Sequence, residues 1–415
     1  MTSKGFYIFN ILLLISIATL LYAIRLPINT ETKISWGYPK DSLFNFTELT
    51  NEYGYSSQEH TVVTEDGYIL TMFRINKGRN CNGKTKLPPV ILMHGLLQSS
   101  DSWLDAGPDA GLAYLIADEC FDLWVGNCRG NYYSRRHVSL NPDTDHQYWQ
   151  FSVDEIGYYD VPAMMDYVLD HTGADNLNYI GFSQGAGTFF IMCSERPGYC
   201  EKANVMIALA PAARQTNTGS ILYRFIMESV YTIEGILKKT SVGEILPKGS
   251  FSQEFLAFFC QLNSMTGSIC TTVQSLLDAY HPGSVSNETT RVLYGHFPAG
   301  TSVHNMARYG QSMMRNDFAK FDYGKVHNLE LYGSEEPPKY NLSAVTVPVV
   351  TLYGRNDGLV DVKDVKWLLK KLPNVVEEMA VSDALWTHLD VTYSQYTRTL
   401  IFPKIYEHLQ SNSYN

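Results

Sequence analysis

A serine between two glycines, at the end of an apolar run, most restricts how this chain can fold. Residues 179–180 precede it as part of a predicted buried strand, and residues 186–192 follow as a predicted helix. Ser183 lies between Gly181 and Gly185 in the pattern G-x-S-x-G. A sharp strand-to-helix turn strains the serine backbone, admits only small neighbours and leaves the next N–H free to bind an anion. The pattern therefore predicts a serine nucleophile for acyl transfer.

Chance and nucleotide binding account for this pattern less well. About 0.15 matches to G-x-S-x-G are expected by chance in a chain with this glycine and serine content, so the pattern needs its context. A nucleotide-binding turn requires G-x-G-x-x-G, whereas the glycines here are Gly181, Gly185 and Gly187 without the acidic residue that should follow. The strand before Ser183 and the helix after it favour the acyl-transfer hydrolase.

The composition excludes several classes of function. The 415 residues are 45 % hydrophobic, which is enough to bury a large core. A formal net charge of -10, without a Lys/Arg-rich block or zinc-finger cysteine spacing, argues against a nucleic-acid partner. No H-E-x-x-H or P-loop pattern is present, so we expect neither a metal nor a cofactor.

The first residues form a predicted secretory signal peptide. Lys4 precedes an uncharged, Ile- and Leu-rich run over residues 5–24, with Ala23 as the small residue near the cleavage site. We expect residues 1–23 to be removed and the protein to be secreted or lysosomal. The alternative is an uncleaved membrane anchor, since the run is almost long enough to span a bilayer. Three sequons fit the secretory route and are predicted glycosylation sites: Asn45, Asn287 and Asn341.

Seven cysteines leave at least one without a disulfide partner. Cys260 and Cys270 flank a short polar loop and are the preferred pair. In an oxidising compartment, a bridge closing a loop of this size would contribute roughly 3 kcal/mol. Cys193 and Cys200 either pair across a helix end or remain buried thiols.

Strand and helix patterns alternate along the first half of the chain. Alternation over residues 57–75, with a turn at Asp66 and Gly67, predicts an edge hairpin. Helical spacing of apolar residues predicts a helix over 160–171. Further strands are predicted at residues 89–93, 121–126, 179–180 and 205–209. This alternation predicts an α/β fold with a mostly parallel sheet covered by helices on both faces.

The strand pattern fades between residues 214 and 341 and resumes at 347–353. We interpret the intervening segment as an inserted, mainly helical cap or lid. The predicted organisation is therefore a core in two parts, residues 24–213 and 342–415, separated by the cap.

A serine nucleophile needs a histidine base and a carboxylate that orients it, in the chain order Ser, acid, His. Asp357 follows the resumed strand directly and is the predicted acid; Asp361 is its rival, but falls where a helix should begin. His388 lies in a loop after the strand predicted over 377–381 and is the predicted base. His408 is its rival, in a closing helix among charged residues.

An oxyanion hole requires two backbone N–H groups. Gln184, after the nucleophile, supplies one, and Leu96, in the loop after the strand at 89–93, is predicted to supply the other. Gly95 permits the tight turn there. His94 is predicted to be structural, since no metal-ligand spacing surrounds it.

These residues belong to longer segments that resemble the acid lipases, the family of lysosomal acid lipase and gastric lipase, which have the α/β-hydrolase fold. The resemblance runs from Tyr38 nearly to the C-terminus. It is carried by residues 94–100, 124–131, 181–187, 297–305, 357–362 and 386–390. Phe182 and Cys128 depart from it, because the family usually has His and Ser at these positions, and the segment after His388 also differs from the family.

The resemblance implies the same catalytic residues that we predict from the order of serine, acid and histidine along the chain. Its nucleophile, acid and base correspond to Ser183, Asp357 and His388. Its oxyanion donors correspond to Leu96 and Gln184, and its cap disulfide to Cys260 and Cys270.

The resemblance further implies hydrolysis of neutral lipid esters, triacylglycerols or cholesteryl esters, at a lipid–water interface. The alternatives are an esterase for small soluble esters and a catalytically silent lipid-binding protein on the same scaffold. The cap would supply a lid that contacts the lipid surface. Four apolar side chains fit either such a lid or the core of the cap: Phe255, Leu256, Phe258 and Phe259.

Overall fold

The computed structural model describes residues 29–79, 81, 87–261 and 264–412. The predicted signal peptide, residues 1–23, lies outside the described residues. Within the described ranges, no helix is both long enough and apolar enough to cross a bilayer.

A central sheet organises the described part of the chain, with nine strands, eight of them in one continuous order. The eight are β1 Ser56–Val63, β2 Tyr68–Lys77, β3 Pro89–Met93, β4 Asp122–Gly126, β5 Leu177–Phe182, β6 Ala203–Leu209, β7 Val349–Tyr353 and β8 Val375–Ala380. Their spatial order is β1-β2-β4-β3-β5-β6-β7-β8, and the ninth strand, Arg136–His137, pairs with β2. β2 is antiparallel to β1 and to β4, and every pairing from β4 to β8 is parallel. The prediction of a mostly parallel sheet is confirmed.

The register of the parallel strands brings their carboxyl ends to one edge of the sheet. Met93 at the end of β3 pairs with Gly181 of β5, which pairs with Ala208 of β6. Leu209 of β6 pairs in turn with Leu352 of β7. The loops that follow these strands therefore meet at this edge, where open α/β sheets hold their functional sites.

Helices cover both faces of the sheet, because successive side chains of a strand point to opposite faces. Tyr179 of β5 is buried in one cluster with Met165, and Ile180 in the other with Leu115. The helices of seven or more residues in the described ranges are α1 Phe46–Glu52, α2 Leu112–Asp118, α3 Val161–Thr172, α4 Gln184–Glu195, α5 Ile221–Lys239, α6 Phe251–Gln261, α7 Ser264–Leu277, α8 Asn287–His296, α9 Val303–Met314, α10 Lys325–Tyr332, α11 Val362–Leu369 and α12 Phe402–Ser411.

Six of these helices, α5 to α10, lie between β6 and β7, in the segment we call the insertion, residues 214–341. The insertion packs on the core through α5 and α9, whose Tyr223, Met227 and Met306 belong to the same buried cluster as Tyr179. Two short strands inside it, Glu244–Ile245 and Thr301–Ser302, pair antiparallel. Its role as a cap and its boundaries stay predictions.

Three disulfides are present in the described part of the chain. Cys260 and Cys270, the pair preferred from the sequence, join α6 to α7 in the insertion. The other two pairs are Cys193–Cys200 and Cys81–Cys120, and Cys128 is a free buried thiol. Disulfides persist in oxidising compartments, so the three bridges fit maturation in the secretory pathway.

The three predicted glycosylation sites, Asn45, Asn287 and Asn341, are all exposed. The side-chain oxygen of Asn45 caps α1 by accepting the N–H of Glu48 at 2.9 Å. This bond uses the oxygen and leaves the amide nitrogen available. Glycosylation of the three asparagines stays a prediction.

Candidate active site

Ser183 occupies the sharp turn between β5 and α4. Its backbone has φ 53° and ψ −112°, a conformation that a non-glycine residue adopts only where the surroundings impose it. The N–H of Ser183 donates to the carbonyl of Leu209 at 2.9 Å, and its carbonyl accepts the N–H of Ala212 at 3.1 Å. Strand β6 and the residues after it therefore hold the turn in place.

The glycines beside Ser183 are required by close backbone contacts. A Cβ on Gly181 would lie 2.6 Å from the backbone of Gly185. A Cβ on Gly185 would lie 2.5 Å from the carbonyl oxygen of Met93, at the end of β3. Backbone atoms in a buried sheet cannot move aside, so only hydrogen fits at both positions.

Asp357 lies in the turn after β7 with its carboxylate fixed by the backbone. Its Oδ1 accepts the N–H groups of Leu359 at 2.9 Å and Val360 at 2.7 Å. Its Oδ2 accepts a bond from Nδ1 of His388 at 2.7 Å. The rival Asp361 instead caps α11 by accepting the N–H of Lys363 at 2.7 Å.

His388 connects Asp357 to Ser183. With Nδ1–H directed at Asp357, the neutral Nε2 accepts the Ser183 hydroxyl at 2.9 Å. The ring of Phe182 lies 4.7 Å, centroid to centroid, from the imidazole and covers part of it. The rival His408 binds Glu377 at 2.6 Å and takes no part in this arrangement.

The charges around His388 favour its protonated form. Burial alone lowers the pKa of His388, but the charge and hydrogen bond of Asp357, together with the charge of Asp278, raise it by more. The pKa of His388 therefore lies above its ordinary value of 6.5. The arrangement can accept a proton from Ser183 and stabilise the resulting imidazolium.

The two predicted oxyanion donors lie beside Ser183. Leu96 and Ser183 line the same cavity, and the N–H groups of Leu96 and Gln184 donate to no group in the described ranges. His94 supports this loop: Nδ1 donates to the carbonyl of Gly95 at 2.8 Å, and Nε2 accepts the N–H of Cys128 at 3.2 Å. Burial lowers the pKa of His94 to about 4, which keeps the ring neutral in this structural role.

Other polar side chains hold the two donor loops, and no isolated motif indicated them. Asn305 donates from Nδ2 to Oε1 of Gln184 at 2.9 Å. Gln98 accepts the N–H of Gly95 at 2.9 Å and donates to the hydroxyl of Tyr393 at 3.0 Å. Asn305 and Gln98 lie in segments that carried the family resemblance, which is the signal that could have found them.

A cavity of about 250 Å³ opens onto Ser183 and His388. Its lining is mostly apolar and comes from the core and from the insertion, with Leu96, Phe182, Leu359, Ile226, Val273 and Phe297 among the residues. A larger groove of about 500 Å³ lies at the opposite edge of the sheet, near Pro89 and Asp122, and contains none of the predicted site residues. The smaller cavity is the substrate site that the geometry supports.

The four apolar side chains predicted for the lid or core of the insertion have different surroundings. Leu256 lines the cavity, and Phe259 packs on a buried cluster within the insertion. The ring of Phe255 stacks 6.2 Å from that of Phe259, and the ring of Phe258 lies 5.7 Å from that of Trp36. Only Leu256 of the four reaches the cavity.

The tight contact at Gly185 leads to a test with a matched control. Gly185→Ala is expected to displace the Ser183 turn, lower the free energy of unfolding by about 1–3 kcal/mol and reduce esterase activity. Gly235→Ala in α5 has nothing within 4 Å of the new Cβ and is expected to stabilise the protein by about 0.5–1 kcal/mol. Denaturant unfolding and ester hydrolysis measure both variants. Equal stability of the two alanine variants would contradict the contact argument.

Comparison with known proteins identifies the fold and the family of the chain. Residues 88–386 match the family described as alpha/beta hydrolase fold, and residues 46–107 match a partial alpha/beta-hydrolase lipase region. Lipase 1 of Drosophila melanogaster is 37 % identical over 366 residues, which cover 88 % of this chain and 80 % of that protein. Gastric triacylglycerol lipase of Homo sapiens is 33 % identical over 386 residues, which cover 92 % and 94 %.

A solved structure supports the fold independently of close sequence similarity. A soluble variant of monoglyceride lipase from Saccharomyces cerevisiae superposes with a TM-score of 0.53 at 13 % identity, covering 91 % of this chain and 99 % of that one. The length and identity of the lipase matches are decisive for the family. The chain belongs to the α/β-hydrolase lipases, in the acid lipase family that includes gastric lipase.

Proposed function

We propose that this protein is a serine hydrolase that cleaves carboxylic esters of neutral lipids through an acyl-enzyme on Ser183. The observation that carries the proposal is the chain of bonds from Asp357 through His388 to Ser183 at the mouth of an apolar cavity. Relatives named gastric triacylglycerol lipase support a lipid ester as the substrate.

The reaction follows from the positions of these atoms. His388 Nε2 takes the proton of the Ser183 hydroxyl as the oxygen attacks the ester carbonyl carbon. The N–H groups of Leu96 and Gln184 bind the negative oxygen that forms, and Asp357 stabilises the imidazolium. His388 then gives the proton to the leaving alcohol as the carbon–oxygen bond to it breaks, and the acyl group stays on Ser183. In the second half, His388 takes a proton from water as the water oxygen attacks the acyl carbon, and returns the proton to the Ser183 oxygen as the free acid leaves.

The cavity fits the apolar part of such an ester. A volume of about 250 Å³ with a mainly apolar lining suits a hydrocarbon chain, which needs no hydrogen-bond partners. Burying it would contribute about 0.8 kcal/mol for each CH₂ group. The cavity therefore favours esters of fatty acids over esters of polar acids.

The first test of this proposal removes the nucleophile. Ser183→Ala is expected to fold normally and to lose at least about a thousandfold in rate, because the Ser183 hydroxyl is the group that donates to His388 Nε2. Ser194→Ala is the matched control. Ser194 lies in α4, the helix that follows the Ser183 turn, but its hydroxyl accepts the N–H of Asn341, so this variant should keep its rate. The readouts are hydrolysis of a soluble nitrophenyl ester and labelling by a fluorophosphonate. Full activity in Ser183→Ala would overturn the proposal.

The second test concerns the dependence on pH. His388 must be neutral to accept a proton, so activity is lost as the pH falls through its pKa. Because the pKa of His388 is raised above 6.5, kcat/KM is expected to fall on the acid side with a midpoint above about 6.5. The profile of kcat/KM with a soluble ester between about pH 4 and pH 9 measures this midpoint. Full activity at about pH 5 would contradict it.

We propose that the protein follows the secretory pathway to a secreted or lysosomal destination. The three disulfides and the relatives named gastric triacylglycerol lipase support this route.

Exposed apolar side chains on the insertion support contact with a lipid surface. Ile221 and Phe225 on α5 are 85 % and 67 % exposed, and Ile269 and Leu276 on α7 are 45 % and 60 % exposed. Val273, between the last two on α7, lines the cavity, so this surface, which we call the apolar patch, borders the site. Apolar groups bordering a substrate cavity suit binding to a lipid–water interface.

Removing part of the apolar patch tests the lipid surface as partner. The double variant Phe225→Ser/Leu276→Ser is expected to lower the ratio of hydrolysis rates on emulsified triacylglycerol and soluble ester by at least about tenfold. Each apolar side chain contributes roughly 1.5–3 kcal/mol when fully buried, so even partial burial of the two in lipid exceeds the roughly 1.4 kcal/mol of a tenfold change. Val138→Ser/Val376→Ser changes two residues of similar exposure, 63 % and 52 %, outside the insertion and serves as the control. An unchanged ratio in the first variant would favour the esterase for soluble esters.

A further inference from the structure

One carboxylate of the insertion lies against the proposed catalytic residues without belonging to any motif. Asp278 directly follows α7, is 6 % exposed and lines the same cavity as Ser183 and His388. We propose that Asp278 is a positioning residue of the active site, supplied by the insertion, which holds the turns of Asp357 and His388 relative to each other. The proposal rests on the proposed function of these two residues.

The geometry is a bridge between two backbone turns. Oδ1 of Asp278 accepts the N–H of Gly358 at 3.0 Å, and Oδ2 accepts the N–H of Leu389 at 2.8 Å. Gly358 and Leu389 are the residues directly after Asp357 and His388. A single rigid carboxylate therefore spans the two turns whose separation determines the 2.7 Å bond between Asp357 and His388.

The insertion encloses the Asp357 turn from a second side. The carbonyl of Gly358 accepts the N–H groups of Gly219 at 3.0 Å and Ser220 at 2.8 Å, at the entry to the insertion. The hydroxyl of Ser220 donates to the carbonyl of Leu276, two residues before Asp278. A Cβ on Gly358 would lie 2.0 Å from the carbonyl oxygen of Asp278, so a side chain would break this contact.

The His388 turn is held by a further residue of the same segment. His281 donates from Nδ1 to Oδ2 of Asp390 at 2.6 Å, and that oxygen also accepts the N–H of Thr387 at 2.7 Å. The residues on both sides of His388 are thus connected to the stretch of the insertion that follows α7. Asp278 is the member of this stretch that reaches both turns.

Asp278 also contributes charge. Burial, with the nearby charge of Asp357, raises the pKa of Asp278 to about 7. The other titratable groups that face it are His388 in the cavity and, across the Leu389 backbone, His281 and Asp390, which line a separate small cavity with it. When ionised, Asp278 raises the pKa of His388, so the imidazolium formed during acylation faces two carboxylates.

Asp278→Asn tests both contributions, because it keeps the shape but removes the charge and turns an amide towards one of the two N–H donors. We expect kcat on a soluble ester to fall about tenfold or more with KM changed less than about twofold. The acid-side midpoint of kcat/KM should move down by about half a unit or more. Asp278→Ser, which removes the charge with less bulk, should shift the midpoint in the same direction.

Asp364→Asn is the matched control. Asp364 is a buried carboxylate of α11 that accepts the N–H of Asn217 at 2.8 Å and a bond from Arg214 at 2.6 Å, so it also joins the insertion to the core. Its variant should lose thermal stability without any shift of the pH midpoint. An unshifted midpoint and normal kcat in Asp278→Asn, or failure of both Asp278 variants to fold, would assign the residue a structural role and overturn the proposal.

Ser183→Ala measured in parallel separates the two proposals. Ester hydrolysis by the wild-type chain that is lost in Ser183→Ala supports the proposed function, whatever Asp278→Asn does. Activity that survives in Ser183→Ala defeats the proposed function and the role of Asp278 with it.

Discussion

The approach of the Ser183 turn to the end of β3 is the contact on which the rest of the site depends. Gly185 lies so close to the carbonyl of Met93 that no side chain fits between them. Backbone bonds to Leu209 and from Ala212 fix the same turn from β6. A buried parallel sheet thus determines where the Ser183 hydroxyl lies, and β7 and β8, the next strands in the sheet, precede the turns that carry Asp357 and His388.

Two buried histidines at this edge of the sheet differ in pKa because their hydrogen-bond acceptors differ in charge. His94 and His388 both lose water contacts, which lowers the pKa of an imidazole. His94 donates to a neutral carbonyl, and its pKa falls to about 4. His388 donates to the Asp357 carboxylate, which outweighs burial and raises its pKa. The first ring is therefore a permanent neutral hydrogen-bonding group, whereas the second can take up and release a proton.

The sequence predicted the parts of the fold and site that follow from local pattern and chain order. The parallel sheet could be predicted because strand and helix patterns alternate along the chain. Asp361 could be rejected as the acid because the pattern predicts that a helix begins there, and in the structure Asp361 caps that helix. Asn305 binds Gln184, which is 121 residues away in the chain, and Asp278 binds Leu389, which is 111 residues away. No local spacing of residues encodes such contacts. The Cys81–Cys120 bridge, 39 residues apart, is invisible for the same reason.

In the proposed mechanism, the insertion supports the catalytic residues as well as lining the cavity. Without it, the N–H groups of Gly358 and Leu389 would lose the carboxylate that both of them bind. Water would replace the carboxylate as the acceptor of both N–H groups, and no single rigid group would then join the turns of Asp357 and His388. An isolated core would then keep all three proposed catalytic residues but lose the support that we propose sets the distance between Asp357 and His388. The proposed role of Asp278 therefore couples substrate binding to chemistry, because α7 carries Leu276 of the apolar patch and ends next to Asp278.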